Sequence, residues 1–166
     1  GIIPEPLGGS HNDYSFVTSQ IKQTICENLP KLMRMSPEKP RVYYHVTMQP
    51  HRRLPALYDE VEAFVKELIV EQTRGTEISV LEVGIVPTHL HLLIEKAPWA
   101  DLLSFIKEFQ QRTSERIFER FPELARDMAT DRFWTDGGYH YEQHSEESLE
   151  TVRRYIRDQK KHHGLE

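Results

Sequence analysis

The chain has one cysteine, Cys26, among its 166 residues. A lone thiol closes no disulfide framework and builds no cysteine-based zinc site. Cys26 therefore reads as a small buried hydrophobe, and a reducing cytoplasm fits the chain. No run approaches the length of a membrane-spanning segment, so no membrane is expected as a partner. The opening "GIIPEPLGGS" has no basic region followed by an apolar core, and so does not read as a secretory leader. Positive charge is also scarce overall. Lys and Arg number 21 against 26 Asp and Glu, a net charge of −5. Domains that bind nucleic acid in bulk are usually basic, so any such contact here should have a small footprint. There is no internal repeat and no low-complexity tract. What remains is an ordinary soluble composition in a chain long enough for one domain with a proper core.

The local patterns divide the chain near residue 40. Residues 1–14 are rich in Gly and Pro. "SFVTSQIKQTICENLPKLM" then places apolar residues at 17, 21, 25, 29 and 32, close to helical spacing, with Pro30 as an interruption. We read residues 1–40 as an N-terminal extension, partly flexible, with one helix. Residues 41–166 form the folded domain. "RVYYHVTMQ" is rich in β-branched and aromatic residues, which predicts a strand. "LYDEVEAFVKELIVEQTRG" carries Val61, Phe64, Val65, Leu68 and Ile69 on one helical stripe, with acids in the first turn and Gly75 as a stop. "EISVLEVGIV" and "HLHLLIE" read as two strands joined tightly through Pro87 and Thr88. "WADLLSFIKEFQQRTSERIFERF" is a long amphipathic helix ended by Pro122. "GGYHYEQ" is a short strand, and "SEESLETVRRYIRDQKKHH" is a last helix capped by Ser145, or by Ser148 if it starts late. The order β-α-β-β-α-β plus one helix predicts an α+β fold. It is ferredoxin-like, an antiparallel sheet with two helices on one face and an additional C-terminal helix.

Two histidines break the third strand's apolar run. Residues i and i+2 share a face, so His89 and His91 stand side by side while Leu90 and Leu92 point the other way. Leaving either imidazole unpaired in a core would cost about 1–3 kcal/mol. A parallel imidazole pair is a natural pair of metal ligands. On the last helix, Tyr155 and Gln159 are four apart and share a face. Spacing alone favours a packed tyrosine and a solvated glutamine; the basic residues around them shift the balance. Around them, "RRYIRDQKK" sets five basic residues (Arg153, Arg154, Arg157, Lys160 and Lys161) against the single acid Asp158. If the chain meets phosphate, that is where the charge lies. A phenol ordinarily titrates at about 10, so a tyrosine that attacks phosphate profits from cations nearby. Arg52 and Arg53, after the first strand, are a further candidate contact to a nucleic-acid backbone.

Taken together, "VPTHLHLLI", a long helix, "FWTDGGY" and "EESLETVRRYIRDQ" resemble the single-tyrosine HUH transposases of the insertion-sequence-200/605 type, nearest in pattern to the REP-associated branch. "YYHVTMQPHRRLPAL" is similar to that family's first strand and following loop. The resemblance spans roughly residues 41–161. It implies His89, His91 and Gln159 as ligands of Mg²⁺ or Mn²⁺, and Tyr155 as the nucleophile. It implies nicking and rejoining of single-stranded DNA through a covalent 5′-phosphotyrosine link, recognition of DNA hairpins, and a homodimer in which the tyrosine helix of one subunit can complete the other's site. The chain departs from the pattern after "GGY", where "HYEQHS" replaces the usual segment, and residues 1–40 have no counterpart in it. Three other readings compete. A two-histidine phosphoesterase needs two His-x-Thr motifs, and only "HVT" at 45–47 qualifies. A non-catalytic nucleic-acid-binding module could use the same scaffold. A domesticated transposase would still cut DNA, at repeated palindromic elements, without mobilising itself.

Overall fold

A computed structural model describes residues 40–165. The expected N-terminal helix and Cys26 lie outside the described residues. Four strands form one sheet: β1 (Val42–Pro50), β2 (Ile78–Val86), β3 (His89–Lys96) and β4 (Trp134–His144). Their spatial order is β2-β3-β1-β4, and every neighbouring pair is antiparallel. This is the expected ferredoxin-like topology. Two helices complete it, α1 (Asp59–Thr73) and α2 (Leu102–Arg120).

The alternation along the strands sorts the two faces. Val46, Met48, Leu90, Leu92 and Ile94 point to one side and are fully buried. They pack with Val65, Leu68 and Ile69 of α1 and with Ile106, Phe109 and Ile117 of α2 in the main core. Asp59, Glu60 and Glu62 in the first turn of α1 complement the positive end of its dipole. The long helix begins at Leu102 rather than at Trp99 because the Asp101 side chain caps it, accepting from the Ser104 amide at 3.2 Å. Pro122 does more than end α2. It opens a short helix, α3 (Pro122–Met128), at a position where a missing N–H costs nothing.

β4 is longer than its "GGYHYEQ" signature. It starts at Trp134, whose indole N–H donates to Thr113 Oγ at 2.8 Å, and the Phe133 amide donates to Ser114 Oγ at 2.7 Å. Gly137 and Gly138 sit within this strand at a bulge, where the register against β1 shifts between Met48 and Pro50, and Gly137 takes a positive φ of 67°. Lys96 is buried at the end of β3. Its Nζ donates to the carbonyls of Ala97, Pro98 and Ala100, which fixes the turn leading into α2.

The opposite face of the sheet is covered only in part. A 3₁₀ turn (Glu146–Ser148), α4 (Leu149–Arg157) and α5 (Gln159–His162) follow β4 and pack on β2 and β3. The predicted last helix is thus broken at Asp158 (φ −94°, ψ 19°). Neither Ser145 nor Ser148 caps it with a side-chain hydrogen bond. Leu93, Val152 and Ile156 form a small second core that seats α4, flanked by Leu81 and Leu149. Among the described residues, no helix is long and apolar enough to cross a membrane.

Candidate active site on the open sheet face

The strand register brings more together than the histidine pair. Thr47 of β1 lies opposite His91, and His45 opposite Leu93. Gly84 of β2 lies opposite His91 on the other side. His45, Thr47, His89 and His91 therefore share the face that α4 and α5 approach. The His89 and His91 ring centroids are 5.3 Å apart, and those of His45 and His91 are 5.1 Å apart. His45 Nε2 and His91 Nδ1 are hydrogen-bonded at 2.8 Å. His89 Nδ1 is hydrogen-bonded to Thr88 Oγ, also at 2.8 Å.

Tyr155 stands over this face. Its ring centroid is 6.2 Å from that of His91 and 6.1 Å from that of His45. The residue remains 48% exposed, so the side chain can be reached from solvent. His162, one turn into α5, stacks on it at 5.0 Å. Gln159 is fully buried beneath the helix. Its Nε2 donates to the Tyr155 carbonyl at 3.2 Å, which fixes the amide.

Two buried polar atoms here have no partner, His91 Nε2 and Gln159 Oε1. Buried polar atoms are normally satisfied, so such a pair calls for an explanation. A divalent cation is one. The amide oxygen is a hard donor of the kind Mg²⁺ and Mn²⁺ take, and the imidazole lone pair is a neutral donor to divalent transition ions, so the mixed set leans toward Mn²⁺. Among the described residues, no group of three or more His, Cys, Asp or Glu side chains is arranged to hold a metal. A site here would therefore rest on His89, His91 and the Gln159 oxygen, and these residues fit the ion.

The electrostatics agree with that role. Burial pushes the His91 imidazole down to about 3, and its neighbours His45, His89 and His163 push the same way. Burial takes His45 down to about 4, with His144 adding to it. Burial also lowers His89. All three rings are neutral at physiological pH and keep a lone pair. A consequence for stability follows. An unfolded histidine titrates at about 6.5. Between that value and the folded values, the unfolded chain binds protons that the folded chain refuses, so stability is complete above about pH 6.5 and falls as pH drops toward 4. Urea midpoints of the metal-free protein should fall steadily from pH 7 to pH 4.5. A flat profile would contradict neutral burial of His91 and His45.

The cations predicted to meet phosphate divide into two groups. Arg153 and Arg157 both pair with Glu82 of β2, at 3.5 Å and 3.2 Å, and Arg153 also donates to the Leu81 carbonyl. Lys160 pairs with Glu62 of α1 at 3.0 Å. The two arginines tie α4 to its own sheet, and Lys160 ties α5 to α1. Arg154 and Lys161 are exposed and form no ion pair among the described residues. Arg52 and Arg53 are exposed in a 3₁₀ turn after β1, both with left-handed φ. Arg53 is close enough for its charge to act on His89. The ion pairs are partly exposed and contribute less than the apolar seat. Glu82→Gln should cost about 1 kcal/mol or less, and Ile156→Ala about 2–5 kcal/mol. Amide hydrogen exchange along α4 ranks the two, and equal acceleration would reject the ranking.

Gly84, Glu82 and His45 were not singled out by sequence for this site. The signal for His45 was present: "HVT" puts two polar side chains at alternate positions of an otherwise apolar strand. The His163 ring also borders the site, 5.1 Å from that of His89.

The family model for IS200-like transposases matches residues 38–159. The chain belongs to that family. It is 26% identical over 96 residues to the transposase for insertion sequence element IS200 of Salmonella typhimurium, an alignment covering 58% of this chain and 63% of that protein. The aligned part thus spans under two thirds of that relative's length. Among solved structures, a candidate transposase of Deinococcus radiodurans R1 superposes with a TM-score of 0.59 at 22% identity, covering 72% of this chain and 92% of the other. A REP-associated tyrosine transposase, solved bound to a REP hairpin, superposes with a TM-score of 0.55 at 14% identity, covering 75% and 70%. At these identities the two structures speak for the fold.

Proposed function

We propose that this IS200-like transposase nicks and rejoins single-stranded DNA through a 5′-phosphotyrosine intermediate at Tyr155, and that it recognises DNA hairpins. The observation that carries the reading is that two buried ligand atoms, His91 Nε2 and Gln159 Oε1, lack a partner on elements that come together at Gly84, with Tyr155 exposed above them. In this reading His89, His91 and Gln159 hold Mg²⁺ or Mn²⁺. The ion, when bound, acts as a Lewis acid toward the scissile phosphate and orients it.

The chain's own residues do the rest. The Tyr155 Oη attacks phosphorus, a P–O bond to tyrosine forms, and the bond to the 3′ oxygen breaks. The phenol gives up its proton and the leaving 3′ oxygen gains one, so the products are a phosphotyrosine ester and a free 3′-OH. The reverse attack by a 3′-OH restores a phosphodiester. One ester replaces another, so the bond energy is retained and no nucleotide cofactor is needed. Arg154, Lys161, Arg52 and Arg53 are available to steer the DNA backbone toward the open face. Arg153, Arg157 and Lys160 position the helix and reach DNA only if the Glu82 and Glu62 pairs open. We further propose a homodimer, with the tyrosine helix seated in cis as here or exchanged between subunits.

The test is incubation of the protein with a labelled single-stranded hairpin oligonucleotide and Mg²⁺ or Mn²⁺. A band that survives SDS, and is lost with chelator, is expected. A shift on native gels with no covalent band would instead make this a binding module.

A further inference from the structure

The His45–His91 contact poses a question of proton placement. Two ring nitrogens 2.8 Å apart need one proton between them, so one donates and the other accepts. If His45 Nε2 donated, His91 would carry its proton on Nε2, the atom that is buried without an acceptor. Nε2 has no protein partner in either tautomer, but a proton there would block ligation, whereas a lone pair there can be satisfied by a bound cation. If His91 Nδ1 donates to His45 Nε2, the lone pair of His91 lies on Nε2. The second neighbour of Nδ1, Thr47 Oγ, is at 3.4 Å and is the weaker partner. His45 is itself held on β1 directly beside β3, so the acceptor is fixed by the sheet and not by a mobile loop.

We propose that His45 is a positioning residue, whose Nε2 accepts the Nδ1 proton of His91 and thereby keeps the His91 Nε2 lone pair available as a ligand. This rests on the metal-site reading above. Histidine ligands commonly donate their second nitrogen to a carboxylate or carbonyl, and losing that partner typically lowers metal affinity 10–100-fold. Here an imidazole, rigidly held in the neighbouring strand, takes that place.

The experiment has two readouts on the full chain. In ¹⁵N-histidine-labelled, metal-free protein at pH 7, long-range ¹⁵N–¹H correlation should show His91 protonated on Nδ1. Titration calorimetry with Mn²⁺ should show affinity falling about 10–100-fold in His45→Phe, recovering substantially in His45→Gln, which again offers an acceptor, and unchanged in Thr47→Val. His91 found protonated on Nε2 in the wild type overturns the proposal, and it does so even if His45→Phe fails to fold. Wild-type Mn²⁺ affinity in a folded His45→Phe protein overturns it as well. Wild-type Mn²⁺ affinity in His89→Ala and Gln159→Ala would sink the metal site itself. The tautomer, read without metal, keeps that failure distinct from this one.

Discussion

Replacing Tyr155 with phenylalanine is expected to abolish the covalent DNA adduct while leaving the fold and the metal affinity in place. The substitution removes one oxygen and little else. The ring's stacking on His162 and its edge contacts to His45 and His91 persist in phenylalanine. The residue is half-exposed, so no buried hydrogen bond is lost and stability should hold within about 0.5 kcal/mol. Chemistry has no such tolerance. Removing the nucleophile of a covalent mechanism costs on the order of 10⁴–10⁶ in rate, which puts the adduct below detection on a denaturing gel. Hairpin binding on native gels and Mn²⁺ binding by calorimetry should both survive. A Tyr155→Phe protein that still forms an SDS-resistant adduct would move the nucleophile elsewhere. Loss of hairpin binding together with the adduct would mean that Tyr155 holds the DNA rather than attacking it.

The sequence carried this site unevenly, and the reasons are physical. Period-two alternation places His89 and His91 on one face whatever the neighbouring strands do, so that pair was legible. Helical spacing likewise put Gln159 beneath Tyr155, but not whether the glutamine was solvated or buried. That depends on the close seating of α4 and α5 on β2. His45 depends on register. It joins the site only because β1 runs antiparallel to β3 with Thr47 opposite His91, and a one-residue slip would send it into the main core. The basic stretch shows the same limit. Arg153 and Arg157 read as a positive helix face, yet Glu82, some seventy residues earlier, lies across from both. Long-range partners of this kind leave no periodic trace. Helix ends suffered from local chemistry: Asp101 delayed the start of α2, and Pro122 began a helix where it was expected only to end one.

Gly84→Ala is the second change expected to have a large effect, because the tyrosine helix lies almost against the β2 backbone. A Cβ at residue 84 would overlap the Ile156 carbonyl oxygen and sit 3.0 Å from both Gln159 Cγ and Ile156 Cγ2. The first neighbour is helix backbone and cannot rotate away, so the helix must retreat. Gly84 has no positive φ, so alanine suits the strand's own conformation and the whole cost is steric. Overpacking of this kind costs about 1–3 kcal/mol. The catalytic cost should be larger in proportion. Tyr155 and Gln159 ride on the displaced segment, whereas His89 and His91 stay with the sheet, so one methyl group separates the two halves of the proposed site. A misplacement of about 1 Å can lower a rate about 10²-fold. We therefore expect adduct formation to fall by about two orders of magnitude and Mn²⁺ affinity to weaken. Hairpin binding should change little, since Arg52, Arg53, Arg154 and Lys161 stay exposed. Full adduct yield from a folded Gly84→Ala protein would show that the active arrangement does not need this seat.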